Sequence, residues 1–315
     1  MTPRRWLTLA PLLIVAVAMA CWAVPGSAAV QSPAAQSPAA HRLAPAAVRA
    51  TPSCNPVASS LRPTGPPRVT PGSFMAKIRA RGYLIAGVDQ NTYHFGYLNP
   101  LDGKIEGFDI DMVRAVAKAI FGNPSKVRFK AISDDQRIPA VRSGAVDIVA
   151  HTMTINCDRL KLVDFSSVYF DAGQRVLVLS NSRAKSLADL NGKKVCATST
   201  STSLDNIKRL SHAIPVAVTY WTDCLVLLQQ GDVAAISTDD SILDGLKAQD
   251  PWTKIVGPRF TAEPYGLAIS QQHPDFVRFV NAVLQQMRTN GQWAASYAHW
   301  VGTPVPAPPP AHYQA

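Results

Sequence analysis

The stretch "VDIVAHTMTINCDRLKLVDFS", residues 146–166, decides how the chain is read. "VDIVA" is a short apolar run of the kind that forms a buried strand. Two small hydroxyls follow it, Thr152 and Thr154. A bend signal (Asn156-Cys157-Asp158) leads to Arg159, and a second apolar run ends in Asp164-Phe165-Ser166. Hydroxyls and a guanidinium are the donors that grip a small anion. In open α/β sheets, the space beyond the strand C-termini is where ligands sit. The stretch therefore predicts a parallel-sheet fold with a small-ligand site at this strand end.

The flanking sequence agrees. From residue 73, strand and helix patterns alternate. "YLIAGVD" reads as a strand. "GFDIDMVRAVAKAIFG" reads as a helix with Val113, Val116, Ala117, Ile120 and Phe121 on one face, Asp109 as its cap and Gly122 past its end. "KVRFKAI", a short helix in "DQRIPAVRSG" and "VDIVA" complete a βαβ series with a mostly parallel sheet. The pattern restarts at "RVLVLS" and runs through "KKVCAT", "PVAVTYW", "VAAIST" and "TKIVG", with helices between. "YGLAIS" returns, and two helices close the chain. This predicts an α/β fold of two lobes, with the second inserted into the first. Lobe 1 spans 73–172 and 263–303, and lobe 2 spans 173–262. The crossings near 170–176 and 259–265 form the hinge. A cleft between two lobes is a common ligand position.

The chain has 315 residues, 47% of them apolar, enough for two such units. The formal charge of +10 is not gathered into a basic block or interleaved with aromatics, so nucleic acid is not an expected partner. Residues 1–20 read as a signal peptide, with Arg4 and Arg5 before "LTLAPLLIVAVAMA". Cys21 follows directly and matches a bacterial lipoprotein cleavage site, although Ala18 and Met19 depart from the usual pattern. Residues 21–72 are rich in Ala, Pro and Ser and read as a disordered tether. Residues 304–315 form a Pro-rich tail. The expected location is the extracytoplasmic face of the cell membrane, held by lipid on Cys21.

Cys54, Cys157, Cys196 and Cys224 remain. An even number in an exported chain points to two disulfides, with three possible pairings. No pair has metal-ligand spacing. No metal or cofactor is expected.

Six motifs in order resemble one family: "GFDIDM", "TMTINCDRLKLVDFS", "LNGKKVCATSTSTS", "AISTDD", "PYGLAIS" and "TNGQWAASYAHW". They resemble the polar amino-acid solute-binding proteins of bacterial ABC transporters, and among these the glutamine-binding lipoproteins, over about 83–300. The resemblance implies the two-lobed periplasmic-binding-protein fold (type II) and a zwitterion held between the lobes. Thr154 and Arg159 match positions that hold the α-carboxylate. Thr152 matches one that offers a carbonyl or hydroxyl to the α-ammonium. Asp239 matches the carboxylate that pairs with that ammonium, with Asp240 read as the following helix cap. Thr202, in "TSTSTS", matches the loop that closes from lobe 2. Asp89 and Tyr93 match positions that read and cover the ligand side chain, and Arg137 matches an arginine that grips a distal carboxylate. Cys196–Cys224 is the preferred pair, because a strand and the helix after the next strand of one lobe are neighbours. Cys54–Cys157 follows.

The expected ligand is glutamate or aspartate, with glutamine or asparagine tolerated. Asp89 and Arg137 pull this choice in opposite directions. The expected partner is a permease or a membrane sensor, and the protein itself a monomer. The rival reading is an enzyme on the same fold, such as a cyclohexadienyl dehydratase. Against it, no nucleophile–base pair is discernible, and Arg159 and Asp239 are both present.

Overall fold

The computed structural model describes residues 54–314. The expected signal peptide, Cys21 and the expected tether up to residue 53 lie outside the described residues.

Two five-stranded sheets carry the fold. In the first, Leu84–Val88 lies at the centre of a parallel group, flanked by Val127–Ala131 and Ile148–Ala150. Ala268–Ile269 returns antiparallel beside Ile148–Ala150 and also pairs with Asp164–Phe165. In the second, Lys194–Thr198 lies parallel to Ile214–Val218 and Ala235–Asp239. Gln174–Leu179 runs antiparallel beside Ala235–Asp239, and Thr253–Val256 pairs antiparallel with Gln174–Leu179 at the edge. Phe170–Ala172 and Glu263–Tyr265 pair antiparallel as the two crossings between the sheets. Each lobe has its own apolar core. That of lobe 1 centres on the strand Leu84–Val88 and the helices Phe108–Phe121 and Pro274–Thr289. That of lobe 2 centres on Val195, Ile236, Leu243 and the buried Cys196–Cys224 pair. The central strands Leu84–Val88 and Ile148–Ala150 are covered on both faces and so read as continuous apolar runs, whereas the edge strands Val127–Ala131 and Ile214–Val218 stay partly exposed.

Local structure corrects the sequence reading at three places. Asp109 does not cap its helix. Gly107 is the N-cap (φ 136°), and a Cβ there would stand 2.1 Å from the Phe95 carbonyl oxygen. Asp109 is instead turned into the core. Asp239, not Asp240, holds the N-cap position of Asp240–Gln249. Asp240 is the first helical residue, and its carboxylate takes the Gly173 and Ser241 N–H groups and pairs with Arg259.

The third correction concerns the termini. From Cys54 onward the supposed tether is part of the fold, and so is the Pro-rich tail. Ser60 bridges Tyr313, and the Ser60 hydroxyl donates to the Phe165 carbonyl at 2.7 Å. Asn281 Nδ2 donates to Ser60 Oγ and to the Leu61 carbonyl, both at 2.7 Å. Arg288 Nε donates to the Pro309 carbonyl, and the Arg62 guanidinium lies over the Tyr313 ring. Proline lacks a backbone donor but keeps its carbonyl acceptor, so such segments can be held by side chains alone. Composition does not register those partners.

Both disulfides form as Cys54–Cys157 and Cys196–Cys224, with Cα atoms 6.0 and 5.6 Å apart. Among the described residues, no helix is long and apolar enough to cross a membrane. Nor does any cluster of His, Cys, Asp or Glu among them fit a metal ion.

Candidate functional site

The strand Ile148–Ala150 ends at the interface of the two lobes. Beyond it the chain turns through Thr152, whose backbone lies in the left-handed region (φ 42°). The Thr152 N–H donates to Asp109 Oδ2 at 2.8 Å, and the Tyr169 hydroxyl donates to Asp109 Oδ1 at 2.6 Å. Backbone strain of this kind persists where the surroundings fix it, and it concentrates at functional sites. The Asn156 side chain then caps the short helix Cys157–Leu160, accepting from the Arg159 N–H at 2.8 Å. This turn aims Arg159 back at the strand end. Its Nη1 donates to the Thr154 carbonyl at 2.7 Å, and its Nη2 reaches the Thr200 carbonyl on lobe 2 at 3.3 Å.

Lobe 2 faces this turn with the start of the helix Thr202–Leu210 and the end of the strand Ala235–Asp239. Thr200, just before that helix, also has a left-handed backbone (φ 61°). The resulting cleft is narrow, with a cavity volume of about 10 Å³. Arg137, Thr152, Thr154, Arg159, Thr202 and Asp239 all line it. Six of the eight expected site residues therefore come together.

Asp89 and Tyr93 do not line the cleft. The Asp89 carboxylate accepts from the N–H groups of Gln90 and Asn91 and from the Thr92 hydroxyl, which leaves it as a buried turn cap. Tyr93 is half-buried and packs against His94 and Tyr97. Asp240, the expected cap, lies outside the cleft as well.

Three acids and two arginines set the electrostatics. Arg137 Nη1 stands 3.0 Å from Asp134 Oδ1, and Nε donates to the Asp134 carbonyl. Asp134 also takes the Thr198 hydroxyl from lobe 2. Burial opposes its charge. The Arg137 guanidinium, with His151 and that hydroxyl, outweighs burial and holds Asp134 below the usual carboxylate range. Burial, with the neighbouring Arg137 charge, lowers Arg159 to about 10, still a cation at neutral pH. Burial and the Glu263 charge push Asp239 well up. Its Oδ2 accepts from the Tyr265 hydroxyl at 2.6 Å, while its Oδ1 is buried without a hydrogen-bond partner.

Asp134, Trp221 and Thr238 line the cleft but escaped the sequence reading. Asp134 stands three residues before Arg137, an i,i+3 ion pair on a helical segment, which is a legible signal. Glu263 beside the cleft was also missed. It lies in a hinge crossing, where no periodicity marks a side chain as inward-facing.

The chain matches the profile of the bacterial extracellular solute-binding proteins, family 3, over residues 84–303. It belongs to that family. It is 37% identical over 229 residues to the ABC transporter glutamine-binding protein GlnH of Bacillus subtilis, covering 72% of this chain and 84% of the relative. It is 27% identical over 248 residues to the glutamate/aspartate import solute-binding protein of Salmonella typhimurium, covering 75% of this chain and 82% of the relative. Among solved structures, an ancestral arginine-binding protein bound to glutamine superimposes with a TM-score of 0.66 at 36% identity, over 70% of this chain and 99% of that one. The fold is thus the type II periplasmic-binding-protein fold, and this family member is a binding protein rather than an enzyme. The family's extracellular placement applies to it.

Proposed function

We propose that this solute-binding protein captures a polar amino acid between its lobes: glutamate, aspartate or their amides glutamine and asparagine. One observation carries the reading. The Arg159 cation and the unpartnered Asp239 Oδ1 line the same buried cleft. A guanidinium matches a carboxylate in a two-bond fork. A buried carboxylate with a free acceptor calls for a cation, and an α-ammonium would restore its charge. The Arg137–Asp134 pair supplies donors and acceptors together, which suits a distal carboxylate or carboxamide. The names of the relatives support the same ligand class.

Closure on the ligand would then present one shape to a membrane partner, an ABC permease or a sensor. The protein acts as a monomer anchored through diacylglyceryl on Cys21, after removal of residues 1–20. Mass spectrometry of the mature chain tests the anchor, and an unmodified N-terminus elsewhere refutes it. A thermal-shift screen of the common amino acids tests the ligand class. A ligand at a hundred times its Kd stabilises the fold by about 2.7 kcal/mol, so the four named amino acids should raise the melting temperature. A screen in which none does so refutes the reading.

A further inference from the structure

Glu263 lies on the crossing strand Glu263–Tyr265, is 3% exposed, and has so far entered only through its charge on Asp239. Four side chains donate to it. Thr154 of lobe 1 donates to Oε2 at 2.8 Å, and Thr202 of lobe 2 donates to the same oxygen at 2.9 Å. Thr261 in the hinge and Asn206 of lobe 2 donate to Oε1 at 2.8 and 3.2 Å. The backbone is fixed to the same place, since the Ile155 N–H donates to the Pro264 carbonyl at 2.8 Å. One carboxylate is therefore the common acceptor for both lobes and the hinge between them.

We infer that Glu263 is the positioning residue that joins lobe closure to assembly of the binding site. A threonine hydroxyl has one hydrogen. Once Thr154 and Thr202 give theirs to Glu263, each turns only lone pairs to the cleft. Both hydroxyls then accept from the ligand's ammonium, so Thr154 serves that group rather than the α-carboxylate expected from the resemblance, and the α-carboxylate is left to Arg159. Opening the cleft separates Thr202 and Asn206 from the carboxylate, which costs buried charge-assisted hydrogen bonds. The inference deepens the amino-acid reading and rests on it for the ligand alone.

The test uses the full chain carrying Glu263→Gln. Fluorophores enter as unnatural amino acids at the exposed positions Gln90 on lobe 1 and Ala248 on lobe 2. Without ligand, the variant should show a longer inter-lobe distance than the native chain. Titrations with glutamine and with glutamate should weaken by a similar factor, tenfold or more. Thr202→Val should weaken binding about fivefold in the native background but less than twofold beside Glu263→Gln. Should Glu263→Gln fail to fold, Thr202→Val alone must lengthen the ligand-free distance. An unchanged ligand-free distance, or a loss confined to one of the two amino acids, overturns the proposal. If the native chain binds neither, the ligand reading fails, while the ligand-free distance still decides the role of Glu263.

Discussion

The Tyr93 carbonyl of lobe 1 meets Gly245 of lobe 2 so closely that a Cβ on Gly245 would stand 2.6 Å from its oxygen. The obstacle would be backbone, which cannot swing aside. Gly245 lies inside the helix Asp240–Gln249, where alanine is favoured over glycine by about 1 kcal/mol. Gly245→Ala should therefore favour the helix itself yet hold the lobes apart, lengthening the ligand-free inter-lobe distance and weakening ligand binding tenfold or more. The fluorophore pair at Gln90 and Ala248 and calorimetry check the two effects.

Arg159→Ala should abolish binding of every amino acid, because the guanidinium would hold a group that all of them share. Losing one partner of a desolvated charge pair costs about 2–5 kcal/mol. Calorimetry showing affinity near that of the native chain would refute the clamp.

Arg137→Ala should separate acids from amides. Its charge would matter most to a distal carboxylate, because charge-assisted hydrogen bonds are roughly twice as strong as neutral ones. Glutamate and aspartate should lose affinity several-fold more than glutamine and asparagine. Equal losses would reduce Arg137 to a support for Asp134, with which it already pairs at 3.0 Å.

Asp109 makes stability depend on pH. Burial lifts its carboxyl to about 6, against the opposing hydrogen bonds from Tyr169 and Thr152. The unfolded carboxyl titrates near 3.9. Between these values the native chain keeps a proton that the unfolded chain has lost. This contribution is full below about 4 and falls away as the pH rises through about 6. Asp109→Asn removes that titration. From pH 4 to 7 the native chain should lose roughly 2 kcal/mol relative to the variant. Urea unfolding of both at the two pH values checks it.

Cys54–Cys157 spans 103 residues and Cys196–Cys224 spans 28. Chain entropy makes the longer closure worth more, about 4.7 kcal/mol for a loop of about 100 residues. Cys54→Ser should lower stability by about 2–4 kcal/mol, and by more than Cys224→Ser. Non-reducing peptide maps must first show these two pairs, and a Cys54–Cys196 peptide would contradict them.

The order of strands and helices, the two-lobe division and most of the cleft were legible in the sequence. Apolar runs and helical periodicity record which faces are buried. The turn from Thr152 to Arg159 is local, so its chemistry can be read in one stretch. What tertiary structure alone decided was the use of groups whose partners lie far along the chain. Asp89 reads as a ligand contact until its own turn takes its carboxylate. Tyr93 reads as a cover for the ligand until Gly245 is seen against its carbonyl. Residues 54–72 and the tail read as loose until Ser60, Asn281 and Arg288 hold them. Glu263 lies 109 residues from Thr154 and 61 from Thr202, and no pattern along the chain marks their meeting. Burial leaves a period in sequence, but a hydrogen bond between distant side chains leaves none, and only the folded chain determines it.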